Sequence, residues 1–253
     1  MQTLTYHWIN VFTTEQDSGN PLPVFILEEA LSAPSMQKIA AMFNQSETLF
    51  IENAQSQTPI LHIYTPMHPL PFAGHPIIGA LEILNRVREN RPLTAVKCDA
   101  GIVPVETTTN NIQGEMTFPE TRYWIKAPKQ PTARKSDLTL ALSASMLGLT
   151  PAQIMNPPQW MNTGSEQLIV ELRDKESIDN ISIDIALFEQ YATLYEGRTM
   201  IYLWAHDPHS EKNDIYSRFL YLKNGRLDED SGTGSACANL GGYQSLQGKH
   251  NFT

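Results

Sequence analysis

Two stretches, FAGHPIIGAL (residues 72–81) and DSGTGSACANL (residues 230–240), share one design: a glycine-containing loop that runs straight into a helix of small and apolar residues. One lies in each half of the chain, which points to an internal duplication. The first four N–H groups of any α-helix lack partners within it, and the helix dipole adds partial positive charge at that end. Two such helix starts facing one cleft would suit a carboxylate, so a small anionic substrate is expected.

The flanking patterns fill in each half. TYHWINVFT (5–13) and PVFILE (23–28) are rich in β-branched and aromatic residues and are separated by the turn chemistry of DSGNP, which predicts a hairpin. Ser32 or Ser35 caps a helix over SMQKIAAMFN, with Met36, Ile39, Ala40 and Phe43 on one face. SETLFIEN and ILHIYT read as strands. From Pro76, PIIGALEILNRVREN places Ile77, Ala80, Leu81, Leu84 and Val87 at helical spacing. The second half repeats the order loosely. IVPVETTT and GEMTFP read as strands, TRYWIKAPKQPTARKSD as a linker and LTLALSASMLG as a helix. QLIVEL, TMIYLWAHD and RFLYLK read as further strands, the last joined by the glycine-rich loop to a helix near Ser235. The expected lobes are residues 1–118 and 119–253.

Composition excludes several classes of function. No apolar run approaches the roughly 18 to 20 residues of a membrane span, and MQTLTYHWINVF lacks the basic region of a signal peptide, so a cytoplasmic protein is expected. A net charge of −9, with no basic stripe among aromatics, disfavours nucleic acid. Cys98 and Cys237 stand in no metal or disulfide pattern and read as small, reduced apolar side chains. His62, His68 and His75 have no carboxylate or thiolate at a zinc spacing, so no metal is expected. GTGS lacks the Lys-Ser/Thr ending of a phosphate loop.

Four segments then carry a resemblance. SGNPLPVF (18–25), NQSETLFI (44–51), PFAGHPIIGA (71–80) and EDSGTGSACANLGGY (229–243) are similar to the successive signature segments of the PhzF-like phenazine-biosynthesis isomerases. The resemblance implies an α+β fold like that of diaminopimelate epimerase: two similar lobes, each a curved, mainly antiparallel sheet around a central helix, with the active site between them. It implies Glu47 as the acid/base that takes a proton from one carbon and returns it to another, with His75 and Asp230 as catalytic partners. Ser18, Asn20, Gly74, Gly232, Thr233, Gly234 and Ser235 are implied to bind substrate. No cofactor is implied, and a homodimer is. A carboxyl group in partly apolar surroundings suits this work, because it can both accept and donate a proton.

The chain departs from the family pattern in places. Ala73 and Ser231 stand where the related epimerases and proline racemases each carry a cysteine, so two-thiol racemisation is disfavoured. Ser231 also replaces the usual proline. Family members continue beyond the second central helix, so the second lobe is expected to lack its last strands. Simpler roles suit some of the same residues: Glu47 as a solvated carboxylate, His75 as a helix-entry group on loop carbonyls, Asp230 as a turn cap and Ser235 as an N-cap. The alternative function is a non-catalytic small-carboxylate-binding or interaction protein on the same fold.

Overall fold

The computed structural model describes residues 4–13, 18–88, 91–110, 120–127, 129–194, 197–207 and 215–248. The chain divides into two compact units, Met1–Lys129 and Gln130–Thr253. The expected strand GEMTFP and the end of the chain lie outside the described residues.

In the first unit, β1 (Tyr6–Val11) and β2 (Asn20–Leu27) form the expected antiparallel hairpin, with Tyr6 opposite Phe25. Helix α1 (Ala33–Phe43) then carries the chain across to β3 (Thr48–Glu52), which pairs with β2 in parallel, a connection that requires a crossover element. Ser32 caps α1, and Asn44 ends it in the left-handed conformation at φ 51°. The sheet continues through β4 (Ile60–Tyr64), with the short β5 (Pro69–Leu70) beside it, to β6 (Ala95–Cys98), β7 (Gly101–Asn110) and β8 (Glu120–Ile125). Among the described residues of this unit the β2/β3 and β4/β6 pairs are parallel and the other pairs antiparallel.

Helix α2 (Gly74–Val87) is buried inside this sheet. It packs against β1 at one edge, β8 at the other and β2, β3 and β4 between, so the sheet curls around it. Tyr123 of β8 fastens one side by donating to Glu82 at 2.6 Å. On the other side a Cβ at Gly79 would stand 2.5 Å from Leu22 Cδ2 and 3.1 Å from side-chain atoms of Ile9 and Val11. Glycine is therefore what lets helix and strands approach. Strand residues alternate between two cores. Leu22, Val24, Leu49 and Ile51 face α2 with Ile77, Ala80 and Leu84. Phe25, Leu27 and Phe50 face α1 with Met36 and Ala40. Burial on both faces explains why β2 and β3 read as continuous apolar runs.

The second unit holds a six-stranded sheet in the order β14-β13-β12-β11-β10-β9. Its strands are β9 (Thr132–Lys135), β10 (Gln159–Asn162), β11 (Glu166–Glu171), β12 (Met200–His206), β13 (Ile215–Lys223) and β14 (Arg226–Asp230). Among the described residues of this unit the β11/β12 pair is parallel and the other pairs antiparallel. Leu168, Val170, Ile201 and Leu203 share a core with α3 (Leu140–Leu147), α4 (Lys175–Asp179) and α5 (Ile185–Tyr191). Met161, Ile169, Tyr202 and Trp204 face Ala236, Leu240 and Tyr243 of α6 (Gly234–Leu246). Here too a glycine marks close approach: a Cβ at Gly242 would lie 2.8 Å from Pro131 Cβ.

The α+β class and the plan of a mainly antiparallel sheet against a central helix, twice over, agree with the expectation. Two local readings do not. The supposed linker 121–137 contains β8 and β9, whose lysines, arginines and prolines obscure them. Every residue of β9 is exposed, so only its pairing with β10 makes it a strand. The glycine-rich loop follows β14 rather than the RFLYLK strand, because Asn224 and Gly225 turn the chain back first. Among the described residues no helix is long and apolar enough to cross a membrane.

Gly79→Val would force Leu22, Ile9 and Val11 out of place around α2. Overpacking of this kind costs about 1–3 kcal/mol, so urea denaturation of the variant should show a lowered midpoint. An unchanged midpoint would contradict the close packing of α2 on β1 and β2.

Candidate active site

The burial of α2 brings a histidine inside. His75 is the second residue of the helix and only 2% exposed, so both ring nitrogens need partners from the protein. The start of β2 supplies one: His75 Nε2 lies 3.2 Å from the backbone carbonyl of Asn20. The start of β3 supplies the other, because Glu47, just before that strand, sets its Oε2 3.0 Å from Nδ1. The Glu47 side chain is 12% exposed, and its Oε1 has no hydrogen-bond partner among the described residues. Asn20 is itself buried, and its Oδ1 accepts from the Ser46 hydroxyl at 3.2 Å.

These partners fix the proton count. A carbonyl oxygen only accepts, so Nε2 carries a hydrogen and donates it to Asn20. The Nδ1 to Glu47 contact then needs one more proton. It sits either on Glu47, with a neutral imidazole accepting, or on Nδ1, with an imidazolium facing a carboxylate. Glu47 is thus held by one oxygen, through a ring whose orientation the backbone sets, while its other oxygen can meet a ligand.

Glu47, His75, Asn20 and Gly74, the first residue of α2, gather in the first unit. Ser18 is exposed in the β1 to β2 connection, where its hydroxyl bonds to Thr13. The second unit gathers Asp230, Gly232, Thr233, Gly234 and Ser235 between β14 and α6. There the Thr233 hydroxyl donates to Asp230 Oδ2, and the Ser235 hydroxyl accepts from Gln167 Nε2 at 2.9 Å. The helices begin alike: the N-cap residues, Ala73 for α2 and Thr233 for α6, make no side-chain cap bond. Ser235 is therefore not the N-cap, which corrects the simpler reading of it.

His62 faces Glu52 at 3.4 Å and His68 faces Thr65, so these two histidines belong to other local contacts than that of His75. Cys98 is buried, which suits a small apolar side chain, and burial pushes its thiol pKa up. Cys237 is exposed, with its sulfur 3.6 Å from the Tyr202 hydroxyl, and so is not a core residue. It lies in the first turns of α6, where the buried face is taken by Ser235, Ala236 and Asn239.

Three residues escaped the sequence reading. Phe12 adopts φ 60°, unusual for a bulky side chain, and holds a 51% exposed ring 6.1 Å from that of His75. Nothing in an aromatic strand end marks it out. Gln167 and Asn239 are buried polar residues behind Ser235. Asn239 did leave a signal, since a poor helix former four residues after Ser235 interrupts an otherwise small and apolar helix.

Comparison with known proteins gives the family of the chain. The model of the phenazine biosynthesis-like protein family, PhzC-PhzF, matches residues 9–253. An uncharacterized isomerase of Pasteurella multocida is 35% identical over 240 residues, which cover 94% of this chain and 76% of that protein. The trans-2,3-dihydro-3-hydroxyanthranilate isomerase of Pseudomonas chlororaphis is 38% identical over 89 residues, 35% of this chain and 32% of the relative. The crystal structure of a PhzF family protein from Bacillus anthracis superposes with a TM-score of 0.75 at 20% identity, covering 100% of this chain and 83% of the other. The chain belongs to the phenazine biosynthesis-like family and is an isomerase of that family.

Proposed function

We propose that this isomerase moves a proton between carbons of a small cyclic or amino-acid-like carboxylate, with Glu47 as the single acid/base. The observation that carries the reading is the Glu47 carboxyl group anchored by Oε2 to a buried imidazole, with Oε1 left for substrate. In the first half-reaction a carboxylate oxygen of Glu47 takes a proton from a substrate carbon, and the C–H electrons pass into the adjacent π system. In the second, a proton is delivered from Glu47 to another carbon of that system. Protons and electrons balance within the substrate, so the step needs no redox partner or cofactor. His75 takes part by sharing its Nδ1 proton with Glu47, which steadies the carboxylate between the two halves.

The substrate contacts are also part of the proposal. The uncapped start of α6 offers the N–H groups of Gly234 and Ser235, with Gly232 and Thr233 beside them, to a carboxylate. Asp230 and Asn20 suit an amine or hydroxyl on the substrate, and Ser18 and Gly74 belong to the same proposed set of substrate contacts. The exposed Phe12 ring beside His75 suits a flat or cyclic carbon skeleton. The compound named for the Pseudomonas chlororaphis relative, trans-2,3-dihydro-3-hydroxyanthranilate, combines a ring, a carboxylate, an amine and a hydroxyl and is the first substrate to try.

In D₂O, wild-type protein should exchange or shift a ring proton of this compound, followed by NMR. Glu47→Gln should slow that reaction by about 10²–10⁴-fold, the usual worth of a positioned acid/base. The variant is informative because its amide still donates to Nδ1 of a neutral His75, so the contact survives while proton transfer does not. Exchange by Glu47→Gln at the wild-type rate would overturn Glu47 as the acid/base.

His75→Ala should retain some exchange but lose part of the rate, because Glu47 then loses its anchor. An unaltered rate would remove His75 from the proton path.

A further inference from the structure

Behind Ser235 lies a chain of buried amides whose orientations are not free. Asn239 is fully buried, Gln167 nearly so, and Ser235 is 6% exposed. Asn239 Oδ1 accepts the backbone N–H and the hydroxyl of Thr163, both at 2.8 Å. Its Nδ2 donates at 2.8 Å to the backbone carbonyl of Ser165 and at 2.8 Å to Gln167 Oε1. A backbone N–H only donates and a backbone carbonyl only accepts, so the turn between β10 and β11 allows one orientation of the Asn239 amide. That orientation dictates the next. With Oε1 held by Asn239, the amide nitrogen of Gln167 faces Ser235 and donates to its Oγ at 2.9 Å.

We infer that Gln167 and Asn239 are positioning residues that hold the Ser235 hydroxyl as a hydrogen-bond donor toward the substrate's carboxylate. Because Oγ accepts from Gln167, its own hydrogen must point to another acceptor, and among the described residues none takes it. A serine at a helix start can ordinarily turn its hydrogen either way. Here the backbone of one strand turn removes that choice through two side chains. An acceptor-only group such as a carboxylate is what a buried hydroxyl locked in this sense would take. The inference rests on the reading of Ser235 as a substrate-binding group.

The relay is more than a clip joining α6 to β10 and β11 if its effect on ligand depends on Ser235. Gln167→Glu replaces the donor with an acceptor of nearly the same shape, so the Ser235 hydrogen should turn back to residue 167. Anthranilate, a ring carboxylate, serves as the probe, with affinity measured by isothermal titration. Ser235→Ala should bind it about tenfold more weakly, a loss of the size expected for one hydrogen bond to a charged group. Gln167→Glu should show a comparable loss, and in the Ser235→Ala background it should change affinity by less than about twofold, as coupled residues do. If circular dichroism shows Gln167→Glu unfolded, Gln167→Met carries the same cycle and should give a smaller loss that also vanishes without Ser235. Failure of wild type to bind anthranilate, or binding by Ser235→Ala as tight as by wild type, would overturn the carboxylate reading itself. A residue-167 substitution without effect, or with the same loss in both backgrounds, would overturn the relay alone.

Discussion

Helix α2 is buried over most of its surface, and much of the first unit follows from that. A helix with an apolar face is usually covered on one side only; here the sheet meets α2 from β1 round to β8. The approach is close enough to demand glycine at position 79. Burial also reaches both helix ends, where polar groups cannot be left bare. At the far end the Arg88 side chain donates through Nη1 to the carbonyls of Ala54 and Ser56, tying the β3 to β4 turn to the helix. At the near end His75 is drawn inside, and its ring must find two partners.

Those partners turn a structural necessity into a chemical one. The backbone carbonyl of Asn20 can only accept, so it commits one ring nitrogen to donating. The other nitrogen is left to share a proton with Glu47. A carboxyl group so placed is kept from wandering, yet neither ring nor backbone prevents its second oxygen from exchanging a proton with a ligand. The second unit follows the same logic with different groups. Around α6 a strand turn dictates the direction of Asn239, then of Gln167, then of the Ser235 hydroxyl. In both units a backbone group fixes the first polar side chain, and side-chain hydrogen bonds carry that direction onward.

The elements that can be read from sequence are those whose burial leaves a simple period. Helix α2 shows its apolar spacing, β2 and β3 show unbroken apolar runs, and the Ser32 cap shows the start of α1. Strands β9 and β14 are largely exposed and charged, so their strand character comes from neighbours in the sheet and leaves no local trace. Glu47 and His75 were legible through their signature segments, but the carbonyl of Asn20 that orders them was not, since any residue carries one. Gln167 stands in a strand that reads as apolar, and its meaning depends on a helix about seventy residues later. Phe12 likewise needed the turn geometry at the end of β1 to set its ring beside His75.

The proton count at His75 can be read by ¹⁵N NMR of the histidine-labelled, ligand-free protein, with the His75→Gln variant identifying the signals. Nε2 should carry its hydrogen while Nδ1 is either an unprotonated acceptor from Glu47 or protonated in an imidazolium. A neutral ring with its hydrogen on Nδ1 and a bare Nε2 would overturn that proton count: Nδ1 would still donate to Glu47, but the Asn20 carbonyl would face no donor and the pair would hold one proton fewer.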